Sequence, residues 1–313
     1  MRIAGTSYTD SMVSQLNLLS AQQFELQNQA STGQAISAPA DNPAGMAQAL
    51  NLQADNSAVT QYAQNISTLQ SRATIAGNAL SSLQTIEERA GEIATQADGA
   101  ATPAQLQAYA SEVTQLIQQA AQVMNTQDGS QYVFGGTASG SAPFTVSTDA
   151  DGNVTAVTYQ GNASAAQSEI AQNVTLAVDA PGENNTGSGP RGVISDSRYG
   201  ADFFNHLISL QNDLQSGNTD AITATDAPNL SKDEDNIIYQ VAANGAAQSR
   251  LTAAASYAST QQTGLQTSLT NVAGADLAQT LTQLSQANNA YQVALQTSSQ
   301  VLQMQQYVLS LLP

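Results

Sequence analysis

Two apolar stripes, one near each end of the chain, recur at alternating steps of three and four residues and constrain the fold more than any other feature. Toward the C-terminus the stripe runs Leu277, Leu281, Leu284, Asn288, Tyr291, Leu295, Ser298, Leu302, Gln305, Leu309, Leu312, and eight of its eleven positions are large and apolar. Near the N-terminus, Met12, Leu16, Leu19, Gln23, Leu26 and Ala30 keep the same spacing. Such a repeat holds one stripe of a helix against a partner helix, so both ends are expected to pair. The polar positions Gln23, Asn288 and Gln305 allow two readings: buried amides that fix register, or solvent-facing residues on an imperfect stripe.

Between the seams the chain is organised as helices, a β insert, then helices. Residues 31–43 carry Gly33, Pro39 and Pro43, which read as a loop. Asp41 or Asn42 before Pro43 supplies a cap with proline at the first helical position, so a long helix should begin there. Its stripe is Val59, Tyr62, Ile66, Leu69, Ala73, Ala76, Leu80, Leu83, Glu87, Ala90, Ala94 and Ala97. Asp98-Gly99 should end it, and Thr102-Pro103 should open another helix. From Asp128-Gly129 the period changes to two, in short Val-, Thr-, Tyr- and Phe-rich segments separated by Gly, Asn and Ser. Helical spacing returns at Phe203, Leu207, Leu210 and Leu214, then over Ile237 to Val272 with Asn244, Gln248 and Leu251 on the stripe. The expected organisation is a terminal helix over 1–42 paired with 274–313, helical halves over 43–129 and 195–273, and a β domain over 130–194. The fold class is mainly α with an inserted β domain.

Only 10% of the residues are charged and 5% are aromatic, with no Trp, so one large globular core is a poor expectation. Narrow apolar stripes with uncharged polar backs suit lateral packing into something larger. Ordering such long helices outweighs what burial of one seam returns. The two ends are therefore expected to be mobile in the free monomer and to order when neighbouring subunits cover them. Seven basic residues against 24 acidic ones argue against nucleic acid and anionic membranes as partners, since both are bound by clustered Lys and Arg. The absence of cysteine removes disulfides and thiolate metal sites. Neither a cleavable secretory signal nor an apolar run long enough to span a bilayer is visible.

Catalytic chemistry has little to stand on. His206 is the only histidine, so a Ser-His-Asp triad or a zinc site would depend on it alone, and no nucleophile-elbow motif accompanies it. No phosphate-binding glycine loop ends in Lys-Ser or Lys-Thr. Asp149-Ala150-Asp151-Gly152-Asn153 has the oxygen-rich look of a calcium loop, but its glycine comes early for an EF-hand and it reads as a hairpin turn. Asp233-Glu234-Asp235 reads as charge complementing a helix dipole. Gly135-Gly136 reads as a tight turn or bulge. No cofactor and no metal site is expected.

Several segments resemble the flagellin family. At the N-terminal side these are Met1-Arg2-Ile3, the seam, Ser31-Thr32-Gly33 through Ala40-Asp41-Asn42-Pro43, and Gln61-Tyr62-Ala63-Gln64-Asn65-Ile66. Ala275-Asp276-Leu277-Ala278 and Val308-Leu309-Ser310-Leu311-Leu312 resemble its C-terminal region. In the middle, three segments resemble the hook-filament junction branch, the hook-associated protein 3 family: Gly129-Ser130-Gln131-Tyr132-Val133-Phe134-Gly135-Gly136-Thr137, Ala142-Pro143-Phe144, and Val157-Thr158-Tyr159-Gln160-Gly161-Asn162. Gln34 stands where the family commonly has a basic residue, and Asn42 where a second Asp is common. The resemblance implies an elongated flagellin-like bundle formed by N- and C-terminal segments, in a non-catalytic subunit exported unfolded without a cleavable signal peptide. It implies hook-associated protein 1, flagellin, an export chaperone and further copies in a short ring or helical layer as partners. The interface seam it implies comprises Met12, Leu16, Leu19, Leu26, Leu277, Leu281, Leu284, Tyr291, Leu295, Leu302, Leu309 and Leu312. Two alternatives remain: a short flagellin forming the filament itself, and a secreted adhesin or enzyme whose activity lies in residues 130–194.

Overall fold

A computed structural model describes residues 2–97 and 99–310, the side chains of residues 2–8, 305 and 308–310 excepted. Asp98, Leu312 and the side chains of Gln305 and Leu309 thus lie outside the described residues. Helix α1 spans Arg2–Thr32, α2 Pro43–Gln96, α3 Pro103–Met124, α4 Phe203–Ser216, α6 Ala227–Ala273 and α7 Leu277–Ser310. A single turn, α5 (Thr219–Ala221), runs through a π-helical stretch, Ile222–Asp226, into α6.

Local chemistry sets these boundaries. Gly33 ends α1 with φ +70°, its N–H donating to Gln29 O, a left-handed conformation that glycine reaches without Cβ strain. Asn42 caps α2, its Oδ1 accepting from the Gly45 N–H at 2.9 Å, with Pro43 at the first helical position. Thr102 and Gln105 form a reciprocal capping box at α3, ahead of Pro103.

The chain divides into two compact units: a central one, Val59–Thr260, and a terminal one, Met1–Ala58 with Gln261–Pro313. The boundaries fall inside α2 and α6 rather than at the loops that end these helices.

In the central unit the α2 stripe from Val59 through Ile66, Leu83 and Ala90 is buried, and so is Glu87 on the same stripe. One continuous core joins Leu83, Ile93, Ile117, Met124, Phe203, Leu207 and Leu214. The β-structure of the described residues is four separate two-stranded antiparallel ladders. They pair β1 (Gln127–Asp128) with β2 (Gln131–Tyr132), β3 (Phe144–Thr148) with β4 (Val154–Tyr159), β5 (Ser168–Ala171) with β6 (Val174–Leu176), and β7 (Ser195–Asp196) with β8 (Ala201–Asp202).

The inserted region between the helical halves carries most of the short strands. Phe134, Phe144, Val154 and Ile194 lie in the same buried cluster as α3 and α4. Isolated two-stranded ladders have too little apolar face to stand alone, so these lean on the helices.

Candidate assembly interface

Within the terminal unit α1 packs along α7. The pairing is antiparallel: Gln34 bridges Gly274 next to the loop, and Gln23 Nε2 donates to Asn288 Oδ1 at 2.6 Å further along both helices. These are two of the three polar seam residues, and their amides meet each other.

The face of α1 turned inward is Met12, Leu16, Leu19, Gln23, Leu26 and Ala30, with Leu26 buried and the others half-buried. On α7 the covered face is Thr280, Leu284, Ala287, Tyr291, Ala294, Ser298 and Val301, also in alternating steps of four and three. This face shares Leu284, Tyr291 and Ser298 with the leucine seam but takes its other positions one residue earlier. Small residues at 280, 287 and 294 admit α1 closely, and the leucine positions are left beside the groove. Leu281 is 56% exposed, Leu295 44% and Leu302 52%, and Leu277 is also exposed. Helix α7 therefore carries two offset heptad stripes, one filled by α1 and one open. Selecting the largest apolar residue at each step missed Thr280, Ala287, Ala294 and Val301; their own seven-residue spacing was the available signal. The exposed side chains Val13, Leu18, Phe24, Val293, Met304 and Tyr307 add apolar surface to both helices.

A hinge-like clasp closes this pair. Ala35 N donates to Ala273 O at 2.7 Å and Ala275 N to Gly33 O at 2.8 Å, while Ile36, Ala49 and Ala273 form a small core with Met46, Leu269 and Val272. Gly45 lets Ile36 pack closely here: a Cβ would lie 2.6 Å from Ile36 Cδ1 and would push that side chain aside. Asp41 Oδ2 accepts from the Ala38 and Ser37 N–H groups at 2.8 and 3.1 Å, and those donors hold its carboxyl below the usual range. Asp276 Oδ1 caps α7 by accepting from Ala278 N and Gln279 N.

In the central unit the segments that carried the family resemblance fit against one another. Gly136 (φ +67°) lies where a Cβ would come 2.2 Å from Asn162 O, and Tyr159 Oη donates to Phe134 O at 2.9 Å. Arg72 on α2 ties the insert down through Asp179, Gln131 Oε1 and Tyr132 O. The Asp149–Asn153 segment is the β3–β4 turn, with Asp149 Oδ1 accepting from the Asp151 and Asn153 N–H groups.

His206 meets Asp233, Nδ1 to Oδ2 at 2.6 Å, and Asp233 also accepts from Asp202 N. This corrects the helix-dipole reading of Asp233, which is a buried partner of α4 rather than a solvated end charge. Burial works against charge on His206, but the hydrogen bond and the nearby carboxylates outweigh it and raise its pKa. Among the described residues no group of three or more His, Cys, Asp or Glu side chains is placed to hold a metal ion. No helix among them is long and apolar enough to cross a membrane.

A paired helical stem with an open apolar stripe in one unit, and a helical core bearing short β ladders in the other, define a mainly α chain with an inserted β region. The bacterial flagellin N-terminal helical region matches residues 6–139 and the flagellin C-terminal helical region residues 234–312, about two thirds of the chain together. The chain belongs to the flagellin family.

Solved structures share its fold at low identity. A putative flagellar hook-associated protein from Vibrio parahaemolyticus has a TM-score of 0.62 and 19% identity, covering 75% of this chain and 100% of that one. FlgL from Xanthomonas campestris has a TM-score of 0.56 and 18% identity, with 69% and 98% covered. The flagellar junction protein FlgL from Legionella pneumophila has a TM-score of 0.51 and 14% identity, with 66% and 99% covered. Among curated proteins no match is found.

Proposed function

We propose that this chain is a non-catalytic adaptor subunit that joins the hook-associated layer of the bacterial flagellum to the flagellin filament. The observation that carries the reading is the open stripe Leu281, Leu295 and Leu302 beside a seam already filled by α1. Large apolar side chains in a regular stripe are a surface for further helices. The fold likeness to hook-associated and junction proteins supports the particular place in the flagellum. In this reading the seam positions Met12, Leu16, Leu19, Leu26, Leu284 and Tyr291 stabilise the stem, and the exposed Leu277, Leu281, Leu295 and Leu302 meet neighbouring copies. By sequence spacing Leu309 follows Leu302 by seven residues and Leu312 falls on the repeat of Leu284 and Tyr291; both side chains lie outside the described residues. The partners are hook-associated protein 1 on one side, flagellin on the other, and copies of the chain in a bounded ring or helical layer. An export chaperone holds the chain before its passage without a cleavable signal peptide.

The test is electron microscopy of cells lacking the gene. Hooks without filaments, with unpolymerised flagellin in the medium, are expected; full-length filaments on those hooks would overturn the proposal. Complementation with Leu295→Asp/Leu302→Asp should fail although the variant is secreted. Filaments of indefinite length grown from the purified chain alone would instead make it a short flagellin.

A further inference from the structure

The chain has a net charge of -17 and seven basic residues, and three arginines are committed internally: Arg72 pairs with Asp179, Arg89 with Glu92 and Glu112, and Arg198 with Asp196. Arg191 differs. Its guanidinium stacks 3.6 Å from the centroid of the Tyr199 ring and 4.4 Å from that of Tyr239. Nε donates to Asn236 Oδ1 at 2.5 Å, and no carboxylate among the described residues pairs with the terminal nitrogens.

The arrangement is held from behind. Asn236, almost fully buried, donates to Gly192 O and Val193 O, and Gln240 Nε2 donates to Arg191 O at 3.0 Å. Asp196, fully buried, binds Arg198 through both carboxylate oxygens, at 2.9 and 2.6 Å, and fixes the turn that carries Tyr199. Arg191 is therefore pre-organised, with little rotamer freedom left to lose on binding. Around it Tyr199 is 50% exposed, Tyr239 49% and Ile238 45%, and Arg191 and Tyr239 stand at the edge of a cavity of about 230 Å³ walled by Ala76, Leu80, Phe134 and Ala243. An arginine fork between aromatic rings beside an apolar recess has the composition of an interface anchor.

We propose that this patch is a lateral docking site for a second copy of the chain, in which Arg191 takes a surface carboxylate of its neighbour bidentately while Tyr199, Tyr239 and Ile238 pack against apolar groups beside that carboxylate. Identical subunits of this charge repel one another, so close packing in a layer requires a point where an unspent cation meets the acidic surface of the next copy. With 24 acidic residues against seven basic ones, a neighbouring copy presents carboxylates in almost any orientation. The inference rests on the layer-forming reading above and specifies a contact, in the central unit, that the terminal stripe does not supply.

The test is sedimentation equilibrium of the full-length chain from low to high salt, with Arg191→Gln, Arg191→Glu and Tyr239→Ala beside the wild type. Wild-type self-association is expected, appearing as salt screens the net repulsion and weakening again at high salt as the ion pair is screened, and it is reduced roughly tenfold by Arg191→Gln and further by Arg191→Glu. Tyr239→Ala should lower it without changing the salt slope. Folding is checked by the melting transition, and Tyr239→Ala, at a half-exposed position, keeps the test valid if the arginine variants lose structure. Equal association of all four chains, or a wild type that stays monomeric at tens of micromolar at every salt concentration, overturns the proposal. The Leu295→Asp/Leu302→Asp chain separates it from the adaptor reading: this chain should retain the Arg191-dependent association while failing to support filaments. Intact filament growth from that chain sinks the adaptor reading alone. Filament dependence on the stripe without any dependence of association on Arg191 sinks the docking site alone.

Discussion

The central and terminal units use the same helical grammar and reach opposite results. In the central unit α2, α3, α4 and α6 bury Leu83, Ile93, Ile117, Phe203, Leu207 and Leu214 in one core, and the β ladders add Phe134, Phe144 and Val154. In the terminal unit the buried apolar residues amount to a few at the clasp, with Leu26 and Ala287 on the seam, while Leu18, Phe24, Leu281 and Leu302 face outward. Four helices can enclose a core, whereas two can share only a seam. A two-helix stem with leucines left over has apolar surface that its own unit does not cover, and the proposed function assigns that surface to assembly.

The largest effect that sharpens this contrast comes from truncating the central core. Leu207→Ala should cost about 2–5 kcal/mol in denaturant unfolding, because the fully buried site cannot collapse around the cavity. Leu295→Asp, on the open stripe, should change the same transition by less than about 0.5 kcal/mol. Limited proteolysis of the dilute wild-type chain should remove the ends of α1 and α7 before any cut within Val59–Thr260. If Leu295→Asp destabilises the monomer as much as Leu207→Ala, the two units are not different in kind.

Next in size is the tether of the insert. Arg72→Ala leaves Asp179 nearly buried without its partner and should cost about 2–4 kcal/mol. The loss should be smaller in acid: burial, opposed only in part by Arg72, already lifts the Asp179 carboxyl above its usual range and eases its neutralisation. Unfolding curves at pH 5 and pH 7.5 read the difference. Equal losses at both would mean that Asp179 stays charged throughout.

Glu87 gives a third and smaller effect, with a defined sign. Burial first, then the charges of Glu234 and Asp233, push its carboxyl up to about 8. The folded chain therefore keeps a proton that the unfolded chain releases above about 4.5, the ordinary glutamate value. Stability from this group is highest in acid and declines as pH rises from about 4.5 toward 8. Glu183, pushed to about 7, Asp226, pushed to about 6, and His206, raised by Asp233, tilt the curve the same way. Glu87→Gln should add about 1–3 kcal/mol at pH 8 and flatten only the upper limb of the profile. Unchanged stability at pH 8 would mean the carboxylate is solvated there. The terminal unit has no comparable buried acid among its described residues, so hydrogen exchange in α1 should show no such pH trend beyond the chemical rate.

Much of this architecture was legible because helical burial repeats. The α2 stripe from Val59 to Ala97 and the α6 stripe from Ile237 to Ala258 lie inward as the spacing of three and four implies, and even the awkward Glu87 keeps its inward place. The cap before Pro43, left between Asp41 and Asn42 and taken by Asn42, and the helix start at Thr102-Pro103 were legible from local chemistry alone. What stayed hidden depends on contacts distant in sequence. Asp233 resembles any helix-start acid until α4 brings His206 to it, and Arg191 is one arginine in a loop until Tyr199 and Tyr239 close over it. The rotation of the α7 seam escaped for a different reason. A heptad shows which residues could form a stripe, but the partner chooses between adjacent stripes, and α1 takes the narrower one because backbones approach closer over Ala287 and Ala294 than over leucine.

The smallest effect bears on that choice. The Gln23–Asn288 hydrogen bond, at 2.6 Å, is solvent-accessible, and Asn288→Ala should cost about 0.5 kcal/mol or less. Its consequence should appear in register rather than stability, because Asn288 lies in the heptad of the open leucines and interrupts them. Asn288→Leu would make that stripe continuous through Leu281, Leu295 and Leu302, offering α1 a second seam of comparable apolarity. Cysteines placed at position 23 and position 288 in the otherwise cysteine-free chain should be joined by a short bifunctional thiol reagent, since the native amides meet across the seam. With cysteine at position 19 and position 291 reporting the neighbouring turn, Asn288→Leu should lower that cross-link several-fold and yield mixed species while the melting transition barely moves. An undiminished single product would mean that the small residues at 280, 287 and 294 hold the register unaided. The terminal unit would then owe its register to shape alone, whereas the central unit adds buried polar pairs such as His206–Asp233 to its packing.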